Sequence, residues 1–169
     1  QEDTPNFEEN SKKIKASGDK FSQFLLAWTD IKSNSIDENI SKYKSTQSPL
    51  WLILAQRQIT TENQQWSYID SEVSKLDTSS PFYLSAQYYN LKAKSLDSKQ
   101  KDTVKNQTTN IITRIKQNKE YSAENLFTGL MFNLSDGLLE KQKYSLVNYL
   151  GYADSYWGER LLPPYYSYV

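Results

Sequence analysis

The residues best suited to meet a charged partner lie between Lys92 and Lys119. Lys92, Lys94, Lys99, Lys101, Lys105, Arg114, Lys116 and Lys119 stand there against Asp97 and Asp102, a net of +6 in a chain whose twenty basic and twenty acidic residues cancel. Such a run fits docking to an acidic protein or a phosphate-rich surface, and it equally fits a helix face kept soluble by charge. Lys92, Lys99, Lys101 and Lys105 are the candidate contacts. A second candidate surface is aromatic. Tyr152, Tyr156, Trp157, Tyr165, Tyr166 and Tyr168 crowd the C-terminal tail without a helical stripe. Such rings close the end of a domain, meet another part of the protein, or form a partner or sugar-stacking patch.

Other chemistry lacks its parts. The chain contains no histidine and no cysteine. That removes imidazole acid–base catalysis, thiol nucleophiles, thiolate metal sites and disulfides. No serine lies in a Gly-x-Ser-x-Gly elbow, or in a Ser-x-x-Lys setting with a credible base. The carboxylate pairs Asp70 and Glu72, and Asp37 and Glu38, do not share a helix face at i, i+4. No Asp-rich loop has calcium spacing. The chain is therefore read as non-enzymatic, with no catalytic, metal or cofactor-binding residue assigned and no cofactor expected. Its balanced charge provides no global field for nucleic acid, and no apolar run reaches the roughly 18 residues of a membrane span.

The elements that must position these surfaces read as helices. Ser80 and Pro81 predict a helix start, and the helix runs to Leu96. Phe82, Ala86, Tyr89, Ala93 and Leu96 form one stripe, and Leu84, Tyr88 and Leu91 an adjoining one. An apolar arc that wide predicts cover from more than one neighbour. Before it, Thr4-Pro5 predicts a thin outer helix stopping at Gly18. Phe21, Phe24, Leu25, Trp28 and Ile31 predict a second, opened by Asp19. Ser35 with Glu38 predicts a capping box, and Ser48-Pro49 another start, for a helix ending near Thr60-Thr61. A partner helix from Glu62 carries Trp66, Ile69, Val73 and Leu76. After Leu96, Asp97-Ser98 opens a helix with Val104, Thr108, Ile111, Ile112 and Ile115 inward. Ser122 is expected to cap a third inner helix bearing Leu126, Phe127, Leu130, Met131 and Leu134. Past the Asp136-Gly137 turn, a weaker helix places Leu139, Leu146, Val147 and Leu150 inward.

No segment alternates as a strand should, so the expected fold is all-α, an irregular stack of antiparallel helix hairpins. One domain spans 1–169: an N-terminal helix pair at 19–47, hairpins at 48–79, 80–119 and 120–151, and the aromatic tail at 152–169. The opening on Gln1 rather than Met, and ends unlike finished repeat caps, predict a portion of a larger protein.

Ser48-Pro49-Leu50-Trp51-Leu52 and Ser80-Pro81-Phe82-Tyr83-Leu84 align at a spacing of 32 residues, and Ser122-Ala123-Glu124-Asn125-Leu126-Phe127 follows at 42. A two-helix repeat takes about 34 residues. In this layout the chain resembles an uncharacterised family of bacterial helical-repeat proteins related to tetratricopeptide repeats. The likeness covers roughly Phe21 to Leu150, without the small residues that regular members carry at their closest helix contacts. The resemblance implies a tetratricopeptide-like α-solenoid within a larger exported protein of the periplasm or cell envelope, although a cytoplasmic location stays open. It carries over no catalytic residues. The expected function is a protein–protein interaction or scaffold module in an envelope assembly, its partner being the rest of its own chain or a larger complex. The alternative is a carbohydrate-binding accessory domain that uses exposed Tyr and Trp.

Overall fold

A computed structural model describes residues 7–144, and among these the chain is all-α. The helices are α1 (Phe7–Ala16), α2 (Lys20–Thr29), α3 (Ile36–Thr46), α4 (Pro49–Gln58), α5 (Trp66–Ser74), α6 (Tyr83–Lys94), α7 (Lys101–Asn118) and α8 (Glu124–Leu134). Single 3-10 turns at Ser98–Gln100 and Tyr121–Ala123 lead into α7 and α8, and residues 138–144 are again helical. The Thr4-Pro5 start, the inward places of Leu146, Val147 and Leu150, and all six tail aromatics lie outside the described residues.

Local chemistry explains most starts. The Asp19 carboxylate accepts from the backbone N–H groups of Phe21 and Ser22. Ser35 and Glu38 complete the expected box, since Ser35 N–H donates to Glu38 Oε2 at 2.6 Å and Glu38 N–H to Ser35 Oγ at 3.2 Å. Two orphan N–H groups are thereby satisfied at once. The Ser-Pro starts differ from one another. Pro49 does open α4, but Ser80-Pro81-Phe82 forms a turn, closed by Tyr83 N–H on Ser80 O at 3.0 Å, and α6 starts only at Tyr83. Pro81 fixes one φ, but the Ser80 hydroxyl is spent on the neighbouring Phe82 N–H, as in a turn. Ser122 is likewise inside a 3-10 turn, with Ala123 at the cap position of α8. α5 begins at Trp66 rather than Glu62, because Asn63 accepts from Gln65 N–H and Trp66 N–H in a preceding turn. α4 ends at Gln58, two residues short of Thr60.

Packing is organised around two inner helices. In α4 every residue from Trp51 to Gln56 is buried, enclosed by α2, α3, α5 and α6. α6 instead serves two cores. Ala86 and Ala93, with the partly buried Phe82 and Tyr89, join Phe24, Trp28, Trp51, Leu52 and Ile69 in the first. Leu84, Tyr88 and Leu91 join Val104, Ile115, Phe127 and Leu130 in the second. The two expected stripes are thus two faces, each with its own partner. The strongest pairings are α3 with α4, α7 with α8 and α4 with α6, so α4 leans more on α3 and α6 than on its expected hairpin partner α5.

Four residues placed inward by periodicity are exposed: Phe21 (51%), Ile31 (37%), Leu96 (73%) and Leu139 (84%). Phe21 lies in the first turn of α2, while Ile31 and Leu96 each lie two residues past the end of their helix, α2 and α6, where a helical stripe overruns the neighbour it faces. Leu139 sits with the exposed Leu138 in the first turn of the 138–144 segment.

The wall position of α6 sets an asymmetry between its ends. Ala86 is fully buried against α4, so Ala86→Leu is expected to cost about 1–3 kcal/mol through overpacking. Leu96→Ala is expected to stay within about 0.5 kcal/mol. Urea unfolding followed by fluorescence of the buried Trp28 and Trp51 measures both.

Candidate functional site

The end of α4 is tied by its own polar side chains to the last turn of α2 and to the loop after it. Arg57 Nη1 donates to Trp28 O at 2.8 Å, and the guanidinium lies 4.1 Å from the Trp28 ring centroid. Gln58 Nε2 donates to Ile31 O at 2.8 Å and Asn34 O at 3.1 Å. These bonds fix the loop and leave Ile31 at its edge. Across from it, Tyr89, Lys92, Ala93 and Leu96 recur at i, i+3, i+4 and i+7 along α6 and just past its end, and so share one face. A cleft of about 370 Å³ lies between. Buried Ile59 and Ala93 form its floor, while Ile31 (37% exposed) and Leu96 stand at its rim. Arg57 and Lys92 supply its charge, and no carboxylate lines it among the described residues. Beneath it, buried Gln56 donates through Nε2 to Ala86 O at 2.9 Å, joining α4 to α6.

Only one of the four candidate lysines reaches this cleft. Lys92 lines it, with its ammonium 5.6 Å from the Tyr88 ring centroid. Lys99 sits exposed on the 3-10 turn before α7. Lys101 and Lys105, one turn apart on α7, turn toward acids that follow α8. Lys101 pairs with Asp136, and Lys105 bridges Asp136 and Glu140, each at 3.2 Å. Elsewhere in the run, Lys94 pairs with Asp70 at 2.7 Å and Lys116 with Glu124 at 3.3 Å. Arg114 donates to Thr78 O at 2.6 Å, lies 4.7 Å from the Tyr83 ring and 3.7 Å from Glu120. The basic run is therefore largely met by the chain's own carboxylates. Arg114 also borders a more polar cleft of about 420 Å³ beside Thr78, Ser80 and Asn118, but its guanidinium is already engaged there.

Periodicity gave no signal for Arg57 and counted both Ile31 and Leu96 as core-facing. The partners of Arg57 and Gln58 lie 24 to 29 residues away, beyond any local pattern. Leu96 did carry a signal, since Asp97-Ser98 directly after it marks a helix stop. Among the described residues no helix is long and apolar enough to cross a membrane. Comparison with family models, with curated proteins and with solved structures finds no match.

The Lys105 cluster is the main electrostatic tie to the 138–144 segment. Lys101, then Lys105, hold the Asp136 carboxyl below the usual carboxylate range through hydrogen bonds. Glu140 is lowered first by the Asp136 N–H and then by Lys105. Burial pulls the Lys105 ammonium down, but its bonds to Asp136 and Glu140 outweigh it and leave the group raised. A carboxylate lowered in the folded state contributes stability that is present above its unfolded pKa and lost as pH falls through its folded value. The tie should accordingly hold at neutral pH and fade below about pH 4. Hydrogen exchange of the 138–144 amides checks this: protection should drop on acidification and with added salt, and Asp136→Asn should lower it already at pH 7.

Proposed function

We propose that the chain is a non-catalytic protein–protein interaction module, part of a tetratricopeptide-like scaffold in a bacterial cell-envelope assembly, and that it meets its partner through the cleft between α4 and α6. One observation carries this reading: exposed Leu96 and Ile31 stand over an apolar floor beside two cations, on segments fixed by buried neighbours. Apolar centres with a charged margin are the usual make-up of contact surfaces. The burial of α4 and α6 as inner helices supports the helical-repeat layout that the sequence resembles. The envelope location rests on that resemblance.

The tryptophans within the described residues favour this reading over sugar binding. Trp28, Trp51 and Trp66 are all buried. Their faces are also occupied, by Arg57 over Trp28, Lys42 over Trp51 at 4.4 Å and Lys94 over Trp66 at 6.0 Å. A sugar ring needs an open aromatic face, and none of these three provides one.

A photo-cross-linking residue placed at Leu96 in the full chain tests the proposal in native envelope extract, with Thr113 on the exposed side of α7 as control. The expected result is one stoichiometric adduct from position 96, competed by unlabelled chain and not by the Leu96→Asp variant. Equal labelling from both positions, or none from position 96, would overturn the proposal.

A further inference from the structure

We infer that the cleft of about 420 Å³ between the start of α6 and the end of α7 binds a free zwitterionic amino acid with an uncharged polar side chain. This site is separate from the α4–α6 cleft and does not depend on the interaction reading. Hydrogen-bond complementarity carries it. Arg114 and Glu120 both line the cleft and come no closer than 3.7 Å, too far for a hydrogen bond. Each keeps a buried atom with no hydrogen-bond partner, Nη1 of Arg114 and Oε2 of Glu120. The chain thus leaves one charged donor and one charged acceptor unanswered beside a single cavity, and such groups are costly to leave unpaired. A ligand meets both by parting the pair, which is already loose and keeps 25% and 33% of its two side chains exposed. Arg114 is held for this: Nη2 donates to Thr78 O at 2.6 Å, and the guanidinium lies 4.7 Å from the Tyr83 ring centroid. A held guanidinium loses less freedom on binding a carboxylate than a mobile one does.

The cleft is polarised in the same sense. On one side Ser80 precedes α6, near the positive end of that helix, and its Oγ accepts from Phe82 N–H at 3.3 Å while its own hydrogen is left to give. On the other side Asn118 ends α7, where the negative helix end adds to Glu120. A ligand carboxylate accordingly accepts from Arg114 Nη1 and Ser80 Oγ, and a ligand ammonium donates to Glu120 Oε2 and Asn118 Oδ1. Other ligands meet a wrong charge, since phosphate would face Glu120 and a metal ion the Arg114 guanidinium. Nucleic acid would need a longer basic track than one side chain provides. The remaining walls set the side chain of the ligand. Thr78 and Ser79 are exposed and polar, Pro81 and Leu84 add a short apolar strip, and among the described residues no further charge lines the cleft.

Isothermal titration calorimetry of the full chain tests the inference, with L-glutamine and L-serine as probes. At least one should bind saturably, with a Kd below about 1 mM. Two derivatives of the tighter probe separate the two contacts: the α-amide lacks the carboxylate, and the N-acetyl form lacks the ammonium. Each should bind at least about tenfold more weakly than the parent. Glu120→Gln, which keeps the shape of a partly exposed side chain and so leaves folding intact, should weaken binding about tenfold, and Arg114→Lys should do the same. Binding of neither probe would sink the inference. So would equal binding of either derivative, or unchanged binding to the Glu120→Gln variant.

Discussion

Everything described here depends on one helix being buried from two sides. α6 has no polar face of the usual width, because Ala86 and Ala93 meet the first core while Leu84, Tyr88 and Leu91 meet the second. The choice of residues follows from distance. Small alanines let α6 approach α4 closely enough for Gln56 to bond a main-chain carbonyl, whereas the larger side chains fill the gap to α7 and α8. Tyr88 makes the second interface directional, with its ring edge-on to Phe127 at 5.9 Å and to Tyr89 at 5.2 Å. Without α6, the core formed by α2 to α5 and that formed by α7 and α8 would each be open on one side.

Polar groups are placed where these cores reach the surface. The aromatic excess of the chain is used twice: inside, as packing volume, and at the boundary, as a seat for cations. Lys42, Arg57, Lys94 and Arg114 each lie over a Trp or Tyr ring, sealing the edge of a core with the side chain that also faces water. Tyr43 shows the same economy on a smaller scale. Its ring is buried in the first core while its hydroxyl donates to Glu72 at 3.0 Å. Burial first, and the Glu72 bond second, push the phenol up to about 12, so it stays a donor throughout the physiological range.

How much was legible in the sequence divides along the reach of each interaction. The helix starts governed by short-range side-chain bonds, Asp19 and the Ser35–Glu38 box, stand where residue type and spacing put them. So do the buried tryptophans and the inward row of Val104, Thr108, Ile111 and Ile115, since periodicity reports directly on a face. The double stripe of α6 even foretold its two neighbours. Ser80 went astray because a serine before a helix can bond an N–H two residues on in a turn as readily as cap the helix, and Ser122 because a 3-10 turn comes before α8. The fate of the basic run was illegible for a different reason. Asp136 and Glu140 lie 31 to 35 residues from Lys101 and Lys105 in sequence, and only the packing of α7 on α8 brings them together.

The α4–α6 cleft owes its existence to a helix that stops two residues short of the end of its own stripe. Asp97 draws the chain away from α6: its carboxylate accepts from Lys99 N–H at 3.0 Å and from Gln100 Nε2 at 3.2 Å, committing these residues to the turn that starts α7. Leu96, bonded back to Ala93 O, is left beyond the last core contact. Full burial of such a leucine would contribute about 2 kcal/mol, which the fold forgoes. A lone exposed leucine is ordinary and signifies nothing by itself. What gives this one meaning is its surroundings, since the same geometry leaves Ile31 opposite, clears a floor of Ile59 and Ala93, and sets beside them a guanidinium held in place by a tryptophan.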